Sequence, residues 1–236
     1  MNQKEEIMGS YDMSSQSKAL PKLTIEYEDR MSANLSELAM VESNIRGAGN
    51  DIKTIYVTSC NNSEGKSTTA IEMAYALTIN ARSRVLLVDG NSRSPMLHLL
   101  FGTQSSPGLS DFIHSDTNPE VILRETAYDN LTLLTIGNRV DEKSFFIQES
   151  HFRKFETLIP EFDYVIFDGN TILGSSDSIL TSKYFDAAVL TVLCEKTKWE
   201  VALHAIEKMT NIGTRVLGIV MNKRRYYIPK ALYGKK

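Results

Sequence analysis

An α/β fold, a parallel sheet with helices on both faces, is predicted by three features of this 236-residue chain. Short apolar runs without polar alternation recur from Thr54 onward. Longer amphipathic stretches lie between them. A loop ending in Gly65-Lys66-Ser67-Thr68 joins the first apolar run to the first amphipathic stretch. Strands that are apolar throughout must be covered on both sides, and alternation with helices makes their pairing parallel.

The elements follow in order. Residues 1–31 are polar, with Ser14, Ser15 and Ser17 near charged residues, and read as a mobile arm. Over residues 32–46, Leu35, Leu38, Ala39, Val41 and Ile45 recur at helical spacing, and Gly47-Ala-Gly49 ends the helix. The apolar runs expected as strands are Thr54–Thr58, Val85–Val88, Leu131–Ile136, Tyr164–Phe167, Ala187–Leu193 and Val216–Met221. Helical stretches fall at Lys66–Ala81, Lys143–Ile159, Ser176–Phe185 and Lys198–Ile212. Trp199 opens the last of these and is expected to pack against the sheet's edge. The Phe145-Phe146 pair reads as core. The organisation is thus an arm (1–31), one domain (32–222) and a basic tail (223–236), with no internal repeat.

Composition narrows the function classes. The net charge of −3 argues against a general nucleic-acid binder, which carries a basic excess. Cys60 and Cys194 cannot build a disulfide framework, and His98, His114, His151 and His204 have no mutual metal-ligand spacing. These features fit a reducing cytoplasm. The N-terminal residues carry acids and no apolar core of signal-peptide length. The apolar stretch Ala187–Cys194 is far short of the roughly 20 residues that span a bilayer. Any membrane attachment is therefore expected through a partner or a surface contact.

In open sheets of this type, ligands sit beyond the carboxyl ends of the strands. After the first strand comes Cys60-Asn-Asn-Ser-Glu-Gly-Lys-Ser67. This has the build of a phosphate-binding P-loop: amides and a helix N-terminus face one anion, Lys66 adds positive charge, and Ser67 can ligate Mg²⁺. Cys60 stands where the strict pattern has its first glycine. Asn61 and Asn62 suit left-handed backbone next best, Ser63 still offers its amide, and Gly65 is kept. Asp89 closes Val85-Leu-Leu-Val-Asp89, and Asp168 closes Asp163-Tyr-Val-Ile-Phe-Asp168, as a Walker B carboxylate does. Either acid alone could be a strand or helix cap. Together with Lys66 and Ser67 they form the constellation of an ATP·Mg²⁺ site, with metal ligands Ser67, Asp89 and Asp168. Cys60 reads as a small buried residue at a strand end, with a modulating thiol as the alternative.

These residues resemble a family. Asp89-x-x-x-Arg93-x-Pro95, Glu64-Gly-Lys-Ser-Thr68 and Phe162-Asp-Tyr-Val-Ile-Phe-Asp168 are similar to motifs of the bacterial tyrosine kinases. Those are the cytoplasmic P-loop domains that partner chain-length proteins in capsular and exopolysaccharide export. The likeness runs from about Ser32 to Lys223. It includes Asp177, Pro107-Gly-Leu-Ser110, Arg215-Val-Leu-Gly-Ile-Val-Met-Asn222 and Ser43-Asn-Ile-Arg46. It implies the deviant-Walker P-loop fold shared with partition and division-site ATPases of the MinD and ParA type. It also implies a nucleotide held by Asn62, Ser63, Glu64, Gly65, Lys66, Ser67 and Thr68, with Asn222 at the adenine. Catalysis falls to Lys66, Asp89 and Asp168. The membrane chain-length determinant is the implied partner, which would recruit the protein to the inner face of the membrane, and a homo-oligomer is one implied assembly.

The chain departs from the family at named positions. Asn91 replaces the second acid of an Asp-x-Asp, so base catalysis rests on Asp89. Asn62-Ser63 replaces Pro-Gly, and Gly169-Asn-Thr171 replaces Thr-Pro-Pro. Ser36, Ala39 and Glu42 occupy a Glu-x-x-Arg-x-x-Arg pattern that the family uses in ring assembly. The tail Lys223–Lys236 holds six basic residues, no acids, and Tyr226, Tyr227 and Tyr233. The resemblance makes those tyrosines autophosphorylation sites; a solvated basic end or contact with anionic lipid are the alternatives. The expectation is an ATP-dependent tyrosine autokinase regulating polysaccharide polymerisation and export. A non-enzymatic nucleotide switch is the first alternative. A positioning ATPase is the second, although Cys60-Asn-Asn62 lacks its signature lysine.

Overall fold

The computed structural model describes residues 20–33, 35–49, 51–115, 117–138, 145–146, 148–174 and 176–223. Its strands are β1 (Thr54–Ser59), β2 (Val85–Asp89), β3 (Leu123–Glu125), β4 (Leu131–Leu134), β5 (Tyr164–Asp168), β6 (Ala187–Leu193) and β7 (Val216–Asn222). They form one sheet in the order β3-β4-β2-β5-β1-β6-β7. β1 and β2 are buried along their whole length, as unbroken apolar runs require. Every pairing is parallel except that of the short edge strand β3 with β4. The α/β fold with a parallel central sheet is therefore confirmed, with one antiparallel edge that the sequence did not announce.

Alternate residues of the strands feed two cores. Ile55, Val57, Leu87 and Ile166 face a layer containing Ile71, Ala74 and Leu77. These come from α3 (Lys66–Ala81), along which α2 (Leu35–Gly47) packs. Tyr56, Leu86, Val165 and Phe167 face the opposite core, which is dominated by aromatic rings. There Phe146 meets Phe152, Phe155, Phe167 and Phe185 with ring centroids 5.2, 5.2, 5.4 and 6.2 Å away. Both members of the Phe145-Phe146 pair are buried.

Four further helices are short: α4 (Leu97–Leu100), α5 (Leu109–His114), α6 (Pro119–Ile122) and α8 (Ser176–Ser182). α7 (Glu149–Glu156) occupies only part of the helix expected over Lys143–Ile159, of which residues 143–144 and 147 lie outside the described residues. α9 (Trp199–Thr210) covers β6 and β7. Trp199 opens α9 but is 70% exposed, so the expected packing against the sheet edge is not made. The helix instead buries Ala202, Ala205 and Met209, which recur at helical spacing.

The arm expected over residues 1–31 also differs where it is described. α1 (Ile25–Ala33) precedes the helix read from sequence, and Leu23 and Met31 are buried against α3 and α4. Backbone bonds from Lys22 N to Phe101 O (3.0 Å) and from Thr24 N to Leu100 O (3.1 Å) hold the segment in place. Its few apolar residues are too sparse to read as a periodic pattern. Tyr226, Tyr227 and Tyr233 lie outside the described residues, as do Ser14, Ser15 and Ser17. None of the described helices is long and apolar enough to cross a membrane.

Candidate nucleotide site

The turn from β1 into α3 is made possible by left-handed backbone at two positions. Ser63 has φ 62° and Gly65, the N-cap of α3, has φ 96°. A Cβ on residue 65 would lie 1.8 Å from Asn222 Nδ2, so glycine is required for space as well as for conformation. No side chain caps the helix start, while Thr69 N already bonds Gly65 O at 2.9 Å. The amides of Lys66, Ser67 and Thr68 therefore remain as the orphan donors of a helix N-terminus, which favours an anion.

The loop's shape is held from below. Glu64 is buried and accepts from Asn61 N and Asn61 Nδ2, both at 2.9 Å, and from Thr197 Oγ1 at 2.6 Å. Glu64 thus stiffens the loop and ties it to the segment between β6 and α9, rather than pointing its carboxylate at a phosphate. Asn222, at the end of β7, donates from Nδ2 to Glu64 O at 3.0 Å. Cys60 is buried with its thiol 3.8 Å from Val201 O, and burial followed by the Glu64 charge pushes its pKa up to about 12. That is the behaviour of a packed, protonated thiol, not a reactive one.

Parallel pairing of β2 with β5 sets Asp89 level with Asp168 at the strand ends. Both are fully buried. Burial raises the Asp168 carboxyl, while Lys66 and the Ser67 hydroxyl beside it hold it down. Among the described residues neither Asp168 oxygen has a hydrogen-bond partner. Asp89 is raised further, by burial first and by Asp168 second. Its Oδ2 accepts from Met96 N (3.1 Å) and Leu97 N (2.9 Å), capping α4, and its Oδ1 accepts a long bond of 3.3 Å from Asn91 N. Lys66 is buried as well: desolvation lowers its pKa, and Asp168, Glu64 and Asp89 oppose that shift.

Three carboxylates around one ammonium leave the site over-acidic, and the bare oxygens of Asp168 are where a hard cation fits. Among the described residues no group of three His, Cys, Asp or Glu side chains could hold a metal ion alone. That composition suits Mg²⁺, which takes one or two carboxylates and completes its shell with phosphate oxygens and water.

Comparison with known proteins identifies the lineage. No family model matches the chain. CapB of Staphylococcus aureus is 30% identical over 199 residues, covering 83% of this chain and 87% of CapB. The tyrosine-protein kinase CpsD of Streptococcus pneumoniae serotype 4 is 30% identical over 183 residues, 77% of this chain and 80% of CpsD. The chain belongs to the bacterial tyrosine kinases.

The fold agrees. The chimerical protein CapA2B2 superposes with a TM-score of 0.77 at 24% identity, covering 89% of this chain and 95% of that one. The cell division ATPase MinD of Pyrococcus furiosus gives 0.60 at 21% identity over 76% of each chain. Within this kinase the structure brings together Lys66, Ser67, Asp89 and Asp168, and sets Asn222 against Gly65. It leaves Asp177 half-buried in the first turn of α8.

Sequence reading missed a buried brace around these residues. Asn170 O accepts from Thr58 Oγ1 at 2.7 Å, and Asn170 Nδ2 donates to Ser92 Oγ at 3.0 Å. The brace joins the ends of β1, β2 and β5. Asn170 and Ser92 each follow a strand-terminal acid by two or three residues, and that position was the only signal they carried.

Proposed function

We propose that this kinase binds ATP with Mg²⁺ at the loop 62–68 and transfers the γ-phosphate to tyrosines of its C-terminal tail, Tyr226, Tyr227 and Tyr233. The observation that carries the reading is the unpartnered Asp168 carboxylate beside Lys66 and the uncapped start of α3. When bound, the cation would supply positive charge that offsets what gathers on the phosphate in phosphoryl transfer. Ser67 and Asp168 would hold it, with Asp89 behind them. Lys66, whose charge Asp168, Glu64 and Asp89 support against the larger effect of burial, would stabilise the developing negative charge of the transferring group. Asp89 keeps a weakly used oxygen, Oδ1, and its raised pKa suits acceptance of a proton from tyrosine near neutral pH. The Asn222 amide beside Gly65 would lie at the base.

The same reading extends to the setting. Partnership with a membrane chain-length protein, action at the inner face of the membrane, and control of polysaccharide polymerisation are supported by membership of the family. Transfer between molecules requires an acceptor hydroxyl to reach a neighbour's phosphate in line.

Asn91 favours a second reading, in which the protein binds ATP and switches assembly with little transfer. Its side chain cannot take a proton, and its Oδ1 is engaged by Ser94 N at 3.2 Å. Incubation of the purified protein with labelled ATP and Mg²⁺, alone and with the cytoplasmic segment of its membrane partner, separates the two. Tyrosine label that disappears in Lys66→Met supports the kinase; clear ATP binding without such label leaves the switch.

A further inference from the structure

α1 reaches the nucleotide loop. Tyr27 Oη lies 3.1 Å from Thr68 Oγ1, across 41 residues of sequence. Thr68 is buried in the first turn of α3, directly after Ser67. Tyr27 is held from several sides. Thr24 O caps the start of α1, accepting from Tyr27 N at 2.9 Å and Glu28 N at 3.1 Å. Glu28 accepts from Tyr128 Oη at 2.6 Å and pairs with Lys22 Nζ at 3.1 Å. Tyr128 Oη in turn accepts from Leu23 N at 3.2 Å. Upstream, Lys22 and Thr24 bond the end of α4, the helix whose start is capped by Asp89. The segment 20–33 therefore bridges the two helices that leave the phosphate loop and the β2 acid.

We infer that Tyr27 is a positioning residue for nucleotide binding, acting through the Thr68 hydroxyl; this rests on the nucleotide reading of the loop given above. A threonine hydroxyl has one proton and two lone pairs. Either hydroxyl can donate across this contact; in the proposed arrangement Tyr27 donates to Oγ1, so the single Thr68 proton is left for an anion at the helix start, and the phenol polarises it in that direction. Without that donor the hydroxyl is free to rotate away and spend its proton within its own helix turn. Tyr27 is thus placed one bond behind the phosphate-binding groups, and it belongs to a segment that the sequence assigned to an arm.

The test is a double-mutant cycle on ATP affinity in the presence of Mg²⁺, with Tyr27→Phe, Thr68→Val and both together. Tyr27→Phe should weaken ATP binding about three- to tenfold, the range of one hydrogen bond. Adding it to Thr68→Val should then have no further effect, because the hydroxyl through which Tyr27 acts is gone. A phenol hydroxyl that acted by a route other than Thr68 would instead weaken the two backgrounds equally, and that result overturns the inference. So does wild-type affinity in Tyr27→Phe. Failure of the wild-type protein to bind ATP overturns the nucleotide reading itself, and the inference with it. Thermal unfolding of each variant without nucleotide shows that the comparison is made between folded proteins.

Discussion

Asp168→Asn removes one negative charge from the most enclosed part of the site while keeping the side chain's shape. The carboxyl is raised from 3.8 to about 6 by burial. At about 1.4 kcal/mol per unit this is roughly 3 kcal/mol of cost for holding it ionised in the folded protein. The sign follows from linkage. A carboxyl whose folded pKa lies above its unfolded value binds its proton more tightly when folded. The ligand-free protein is thus favoured at low pH, and loses that advantage as pH rises from about 4 through about 6. At pH 8 the whole cost is present. Asparagine escapes it but places an amide beside Lys66, which returns about 1–3 kcal/mol.

The net expectation at pH 8 without nucleotide is a gain of up to about 2 kcal/mol, or up to roughly 8 °C in unfolding temperature for a protein of this size. At pH 5, where wild-type Asp168 is largely protonated, the gain should shrink to nothing. Adding Mg²⁺ and ATP should reverse the order, stabilising the wild type and leaving the variant nearly unmoved. Calorimetric unfolding at the two pH values, with and without Mg²⁺–ATP, reads all of this. A variant that melts below the wild type at pH 8, or that still gains fully from Mg²⁺–ATP, would refute the reasoning.

Two other outcomes follow from the same geometry. Gly65→Ala should cost at least about 1–2 kcal/mol of stability from left-handed backbone alone and, by displacing Asn222, should abolish nucleotide binding by titration calorimetry; wild-type affinity would show that the loop tolerates a Cβ. The affinity for Mg²⁺–ATP should rise with pH through about 6 as Asp168 ionises, by up to about tenfold per pH unit below that point. Asp168→Asn removes this contribution, so the variant's profile should be the flatter of the two between pH 5 and 7.5; parallel profiles would count against Asp168 as the metal ligand.

The central strands and the site residues at their ends were legible because fully buried parallel strands are apolar throughout and their ligands collect at one edge. Ala187–Leu193 and Lys66–Ala81 appear in the structure with the bounds read from sequence. What sequence could not convey was what the side chains do with their neighbours. Asp89 was legible as a strand-terminal acid, but its amide partners Met96 and Leu97 depend on the turn that follows. Glu64 was grouped with the phosphate binders, yet its partner Thr197 lies 133 residues away. β3 is three residues long, and residues of that length carry no period. His114 and His151 had no metal-ligand spacing, but the fold brings their rings to 5.0 Å. Trp199 was expected at the sheet edge from its place at the start of a helix, whereas Ala202, Ala205 and Met209 are the residues α9 buries.

The most direct test of the kinase mechanism mixes two incompetent proteins. Lys66→Met carries an intact tail without the phosphate-binding lysine, and the Tyr226→Phe/Tyr227→Phe/Tyr233→Phe variant carries an intact site without acceptors. Each is incubated with ATP and Mg²⁺ and the membrane partner's cytoplasmic segment, alone and together, and phosphotyrosine is located by mass spectrometry. Transfer from the site at the strand ends to a neighbour's tail predicts label on the Lys66→Met tail in the mixture and none in either protein alone. Label on Lys66→Met alone, or no label in the mixture while the wild type is labelled, would contradict the account.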